Sequence, residues 1–241
     1  MKYLMAKLQN RLLRFRIRKN RIDSLAYKNL TALENLNLSL PVRSFRYVVF
    51  DLETTGLDVY SDQIVSIGAY RVVNGRIRLD DVFSRLINPG GHIPPMSVKI
   101  HGIVPDMVAN ASTALDILKD FLNFINGDIL VAHQARFDTH FLNRLMKQRY
   151  GFNLQNIVFD TILMYQKIVF PLHPYPYGID LSAKQCSLDA IAKHYGIVIQ
   201  QRHTALGDAL ATAMIFQRVI VKLEKEGNDK LRSLFNVAAI Y

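Results

Sequence analysis

Apolar and polar positions recur along this chain with two different periods, and the switch between them divides it. Up to Arg21, the apolar residues Leu4, Met5, Leu8, Leu12, Leu13 and Phe15 fall at helical spacing with Lys7, Arg11, Arg14 and Arg18 among them, the mark of an amphipathic helix. Leu25 to Leu40 repeats Leu30, Leu33, Leu36 and Leu40 and stops at Pro41, which predicts a second helix over that stretch. From Phe45 the period changes. Tyr47-Val48-Val49-Phe50 is a run of β-branched and aromatic residues and predicts a buried strand. Gln63–Val73 and Arg76–Ile87 are strand-like and meet at Asn74-Gly75, a dipeptide suited to the positive φ angles of a tight hairpin. After a Pro/Gly loop over 88–95, helices are predicted over 113–125, 137–149, 187–195 and 204–224, and strands over 129–132 and 157–159. Ser187 serves as an N-cap, and Gly196 lies just past the end of that helix. The last helix carries Leu206, Leu210, Ala213, Phe216, Ile220 and Leu223 on one stripe. A hairpin meander followed by strand–helix units predicts an α/β fold with a five-stranded mixed sheet flanked by helices. Residues 1–46 are read as a basic helical extension, 47–224 as the main domain and 225–241 as a short tail.

Composition narrows the class. Half of the 241 residues are apolar and 21% are charged, enough to bury a full core and too apolar for bulk disorder. The single cysteine, Cys186, excludes an intrachain disulfide and a cysteine-built zinc site. It fits a reducing compartment, read here as the cytoplasm. No apolar run reaches the roughly 18 residues of a membrane span, and arginines interrupt the start of the chain, so no secretory h-region is expected. The net charge of +10 is unevenly placed: residues 1–46 hold 11 Lys/Arg against 2 acids, and the rest hold 19 against 18. Three readings of the extension follow: a helix packed on the main domain, a contact for an anionic partner (nucleic acid or an acidic protein face), or a membrane-surface helix.

The acids carry the chemistry. Asp51 and Glu53 end the first strand, where period 2 puts both on one face, about 7 Å apart along the strand. They are either solvated end-of-strand acids or a site for a hard divalent cation, since buried like charges need a cation between them. Asp138 lies where the fourth strand hands over to a helix, and Asp208 lies near the start of the last helix. His203 precedes Asp208 by five residues, about 140° around a helix, so the two share a site only if His203 sits on the preceding loop.

Asp51-x-Glu53-Thr54-Thr55-Gly56-Leu57, then Ala132-His133-x-Ala135-x-Phe137-Asp138, then His203-x-Ala205-x-x-Asp208 resemble, in that order, the three motifs of the DEDD exonuclease superfamily, histidine branch. Its bacterial members include the proofreading epsilon subunit of the replicative DNA polymerase. The resemblance covers roughly 45–222 and includes Ile100-His101-Gly102-Ile103. In the second motif, Gln134 stands where the family often has Asn. The resemblance implies a ribonuclease H-like fold and a 3′–5′ exonuclease that releases nucleoside 5′-monophosphates. Asp51, Glu53, Asp138 and Asp208 would hold two divalent cations, Mg²⁺ or Mn²⁺, and His203 would be the general base. Thr54, Gly56 and Leu57 would hold the 3′-terminal nucleotide, with His101, His133 and Phe137 as further contacts; Phe137 reads equally as core. The expected substrate is a single-stranded or frayed 3′ end, DNA ahead of RNA. The alternatives are an RNA-trimming exoribonuclease or oligoribonuclease and a catalytically silent nucleic-acid-binding module. About 18 residues follow Leu223, so a free-standing enzyme, or one docked on a protein through residues 1–46, is expected over one tethered to a polymerase by a long tail.

Overall fold

In the computed structural model, which describes residues 2–17, 24–34, 36–169 and 184–240, the predicted hairpin begins the sheet. Strands β1 (Arg46–Thr54), β2 (Ile64–Val73) and β3 (Arg76–Leu86) form an antiparallel meander. Asn74 and Gly75 make the β2–β3 turn with φ of 53° and 71°, angles whose twist matches that of the flanking strands. β4 (Ile129–Ala132) pairs in parallel with β1, and β5 (Val158–Asp160) in parallel with β4. The sheet has six strands rather than the expected five, in the order β3-β2-β1-β4-β5-β6. The additional strand, β6 (Ala239–Ile240), pairs antiparallel with β5. Two residues are too few for an alternating pattern to register in the sequence.

Helices cover both faces, and three short ones, α3 (Pro95–His101), α4 (Pro105–Val108) and α7 (Thr161–Met164), lie in the connections. The run Tyr47–Phe50 is apolar throughout because its two faces enter two different cores. Val48 and Phe50 join α5 (Ala114–Ile125) and α6 (Ala135–Tyr150), where Phe121 and Phe141 are fully buried. Tyr47 and Val49 join α9 (Ala205–Lys225) and α10 (Leu231–Ala238), where Phe216 and Phe235 are buried. Odd-numbered residues of β1 therefore face α9, and this parity carries on to Asp51 and Glu53. Thr113 caps α5 by accepting from the Asp116 N–H, Ser187 caps α8 (Leu188–His194) through the Ala190 N–H, and Thr204 caps α9 through the Gly207 N–H.

The expected helix over Leu25–Leu40 is shorter. α2 spans Ser24–Leu30, and the chain then turns. Thr31 Oγ1 donates back to the Lys28 carbonyl at 2.9 Å. The Leu38 and Leu40 carbonyls accept the Arg232 and Leu231 N–H groups at 2.9 and 3.0 Å, meeting donors that the start of α10 leaves open. Asn37 Oδ1 accepts the Ser39 N–H at 3.0 Å, a side-chain-to-backbone bond that competes with the helical ladder. Before it, α1 (Lys2–Arg16) lies against the main fold: Tyr3 packs edge-on against Phe235 with centroids 5.4 Å apart, and Asn10 Nδ2 donates to Gln155 Oε1 at 2.8 Å. Residues 18–23 of the basic stretch lie outside the described residues. No helix among the described residues is long and apolar enough to cross a membrane.

Candidate active site

Asp51 and Glu53 stand at the carboxyl end of β1, on the face that α9 covers. Directly across from Asp51 on β2 is Gly68. A Cβ there would lie 2.4 Å from the backbone of Ala205 and Leu206, so glycine is what lets the first turn of α9 rest on the sheet. A Cβ at Gly207 would lie 2.0 Å from the Gln201 carbonyl, and its absence lets the loop ahead of α9 fold back on that turn. These two close approaches deliver Asp208. One carboxylate oxygen from each of Asp51, Glu53 and Asp208 lies within 4.8 Å of the others.

Asp138 comes from the opposite layer. The β1–β4 pairing ends at Val49–Val131, and beyond it the buried Leu52 N–H has lost its neighbouring strand. Asp138 Oδ1 accepts that N–H at 3.1 Å. It is buried but lies outside the trio of converging oxygens. A cavity of about 520 Å³ opens over all four acids and is also lined by His133, Phe137 and His203.

Burial and mutual repulsion raise the proton affinity of these acids. Desolvation, then the charges of Asp138, Asp208 and Glu53, raise the Asp51 carboxyl well above the ordinary range. Glu53 is pushed up to about 7 by burial and by Asp208. Asp138 is raised by burial, against the pull of its own N–H and that of Leu52. Asp208 is raised by burial, with Arg202 and His203 opposing. Its Oδ1 is buried without a hydrogen-bond partner, a costly arrangement for a carboxylate. Converging oxygens, raised proton affinity and an orphaned acceptor together fit a hard divalent cation.

The remaining expected residues divide. His203 is exposed on the loop before α9 with φ of 62°, and its Nδ1 lies 3.3 Å from Arg202 Nη1. Leu57 is 85% exposed on the turn after β1. Thr54 Oγ1 donates to the Gly56 carbonyl at 2.6 Å, and a Cβ at Gly56 would strike the Asp62 carboxylate at 2.4 Å, so both shape the turn out of β1. Phe137 lines the cavity and also packs edge-on against Phe141, with centroids 5.1 Å apart. His133 lines it as well, its Nδ1 2.9 Å from Thr161 Oγ1, and burial followed by the Arg202 charge depresses it to about 4. His101 is buried away from the cavity lining; its Nδ1 accepts the Ile103 N–H at 3.0 Å, and burial lowers its pKa.

Sequence reading missed three supporting residues. Asp160 accepts the Ala135 N–H at 3.0 Å and the Ile162 N–H at 2.8 Å and so fixes the start of α6. Its place as an acid between a strand and a helix was the available clue. Arg202 and Asp189 form an ion pair beside Asp208; Arg202 adjoins His203 in sequence, whereas Asp189 gives no local sign.

Fold and acids together define an α/β protein of ribonuclease H-like architecture with its carboxylates gathered at strand and helix ends. The chain belongs to the exonuclease family, whose model matches residues 48–216. It is 42% identical over 190 residues to a DNA polymerase III subunit epsilon-like protein of Rhodobacter capsulatus, covering 78% of this chain and 25% of that protein. It is 34% identical over 177 residues to the DNA polymerase III subunit epsilon of Aquifex aeolicus, covering 73% of this chain and 81% of that protein. The chain spans a quarter or less of the length of several curated relatives it matches. Among solved structures, Exonuclease X in complex with 5′ overhanging duplex DNA superposes with a TM-score of 0.58 at 22% identity, over 79% of this chain and 98% of that one, a likeness of fold.

Proposed function

We propose that this chain is a metal-dependent 3′–5′ exonuclease that removes nucleoside 5′-monophosphates from single-stranded or frayed DNA 3′ ends. The observation that carries the reading is the convergence of Asp51, Glu53 and Asp208 within 4.8 Å, beneath a cavity that opens to solvent. Asp51, Glu53 and Asp208, with Asp138 from the far layer, are the residues that would hold two divalent cations, Mg²⁺ or Mn²⁺. Such ions supply the positive charge that stabilises the attacking and leaving oxygens of a phosphodiester.

The chain's own residues do the rest. His203 takes the proton of the attacking water, and its exposed loop leaves the ring free to turn toward the acids. Leu57 projects from the turn after β1 and wedges against the terminal base. Thr54 and Gly56 shape the main chain that receives the terminal sugar, and His133 and Phe137 form the cavity wall. His101, whose ring meets the Thr54 backbone, would support the turn that receives the sugar. A site at strand ends, under a cavity of about 520 Å³, admits an unpaired terminus more readily than a duplex. DNA is placed ahead of RNA because the relative covered over 81% of its length is named a DNA polymerase subunit.

The extension is read as packed on the main domain through Tyr3 and Asn10, with its exposed face available to a protein partner. Asn10 meets Gln155 just before β5 begins, at the amino ends of the parallel strands, whereas the acids lie at the carboxyl ends. We place the protein in the cytoplasm on the strength of its cysteine content and proposed substrate.

The test uses end-labelled single strands of DNA and RNA with Mg²⁺ or Mn²⁺. Mononucleotides should appear from a free 3′-hydroxyl, faster from DNA, and a 3′-blocked strand should stay intact. Faster loss of RNA favours the exoribonuclease reading. Binding without any cleavage would leave a nucleic-acid-binding module, and cuts within a circular single strand would overturn the polarity.

A further inference from the structure

The acid cluster is built around a cation of its own. Arg202 is the one Lys or Arg among the described residues lining the site cavity. Its Nη1 donates to Asp208 Oδ2, and its Nε donates to Asp189 Oδ1 at 2.9 Å. The two acids differ in kind. The Asp208 side chain is 6% exposed and belongs to the cluster; the Asp189 side chain is 62% exposed and stands on the first turn of α8. Beyond Arg202, a second cavity of about 330 Å³ is lined by Asp189, Lys193, Ile197 and Arg202 itself. The arginine thus has an alternative partner and open space on the side away from the acids.

We infer that Arg202 is a resident counter-cation that competes with a divalent metal for Asp208, withdraws toward Asp189 when the metal binds, and so sets the metal affinity of the site. The inference rests on the metal-binding reading above and adds to it a positioning residue outside the acidic motif positions.

The physics is a competition for one carboxylate. A guanidinium is permanently charged and offers its donors in a rigid fork, so it offsets part of the repulsion among Asp51, Glu53 and Asp208. It does not complete the site, because Asp208 Oδ1 still lacks a partner. A divalent ion brings twice the charge to the same oxygens and repels the guanidinium. The Nε–Asp189 bond then holds Arg202 at the rim while Nη1 lets go.

Two substitutions should therefore act in opposite directions. Arg202→Gln removes the competitor and leaves the cluster more negative, which tightens metal binding. Asp189→Asn removes the outer partner and leaves the guanidinium committed to Asp208, which weakens it. A purely structural role for the Arg202–Asp189 pair would weaken the site in both variants.

The experiment is calorimetric titration of the full chain with Mn²⁺ alone at pH 8, without nucleic acid, with Mn²⁺ paramagnetic resonance as a second readout of free ion. Arg202→Gln should bind about tenfold more tightly than wild type, the scale of a close charge pair. Asp189→Asn should bind several-fold more weakly, and Arg202→Lys should lie between Arg202→Gln and wild type. Wild-type uptake with equal or weaker uptake by Arg202→Gln overturns the role of Arg202 and leaves the metal reading standing. Should Arg202→Gln fail to fold by circular dichroism, unchanged or tighter binding by Asp189→Asn overturns the role from the other side. A wild-type chain that takes up no Mn²⁺ overturns the metal reading, and the competition with it.

Discussion

Asp138 Oδ1 accepts the Leu52 N–H at 3.1 Å, so one of the four acids also closes the gap where β1 parts from β4. Charge and hydrogen bonding are separable there. Asp138→Asn keeps an acceptor and removes a charge, so its metal-free melting temperature should equal or exceed that of wild type. Asp138→Ala strands a buried N–H, at a cost of about 1–3 kcal/mol, and should melt lower. Both should lose turnover. Equal melting of the two variants would show that the bond to Leu52 carries no stability.

Asp51 and Asp208 repel each other and Glu53 across less than 4.8 Å. Replacing Asp51 with Asn should abolish exonuclease activity yet raise the metal-free melting temperature, because one of the crowded like charges is gone. Excess chelator should silence the wild type. Full activity in chelator would contradict the metal assignment.

The pH dependence follows from Glu53, pushed up to about 7 from an ordinary value of 4.5. The folded chain holds this proton more tightly than the unfolded chain does. Its contribution, on the order of 3 kcal/mol, is complete below the unfolded value and is lost as pH rises through about 7. Metal-free protein should therefore lose melting temperature between about pH 5 and 8, and Mn²⁺ should restore it by taking the proton's place. Calorimetric scans of wild type and Glu53→Gln check this, the variant showing the flatter profile.

His203→Ala should reduce the turnover rate by about 10²–10⁴ with little change in Mn²⁺ or DNA affinity. Single-turnover kinetics beside a binding titration separate the two. Lost affinity with an intact rate would make His203 a substrate contact.

Gly68→Ala places a methyl 2.4 Å from the backbone at Ala205 and Leu206. The first turn of α9 must lift, carrying Asp208 out of reach of Asp51. We expect a stability loss of about 1–3 kcal/mol and a larger loss of metal affinity than any exposed substitution on α9 produces. Unchanged Mn²⁺ binding would show that the close approach does not place Asp208.

Local pattern alone determined most of the framework. Tyr47–Phe50 read as a strand because β-branched and aromatic residues suit a surface buried on both sides, and Asn74-Gly75 read as a turn because both residues adopt positive φ. Asp51 and Glu53 shared a face by the period of the strand, and the cap residue Ser187 announced its helix. Tertiary structure decided what those patterns do not encode. The stretch after Leu30 leaves the helix and lays its Leu38 and Leu40 carbonyls against the start of α10. β6 exists because β5 offers an open edge to two residues about 80 positions later in the chain. The joining of Asp208 to Asp51 depends on two glycines that admit a helix to a sheet, and the Arg202–Asp189 pair depends on how two helix starts pack. Spacing along a chain sets which side of one element a residue occupies; only packing between elements sets which charges meet, because burial and close approach belong to the assembled layers.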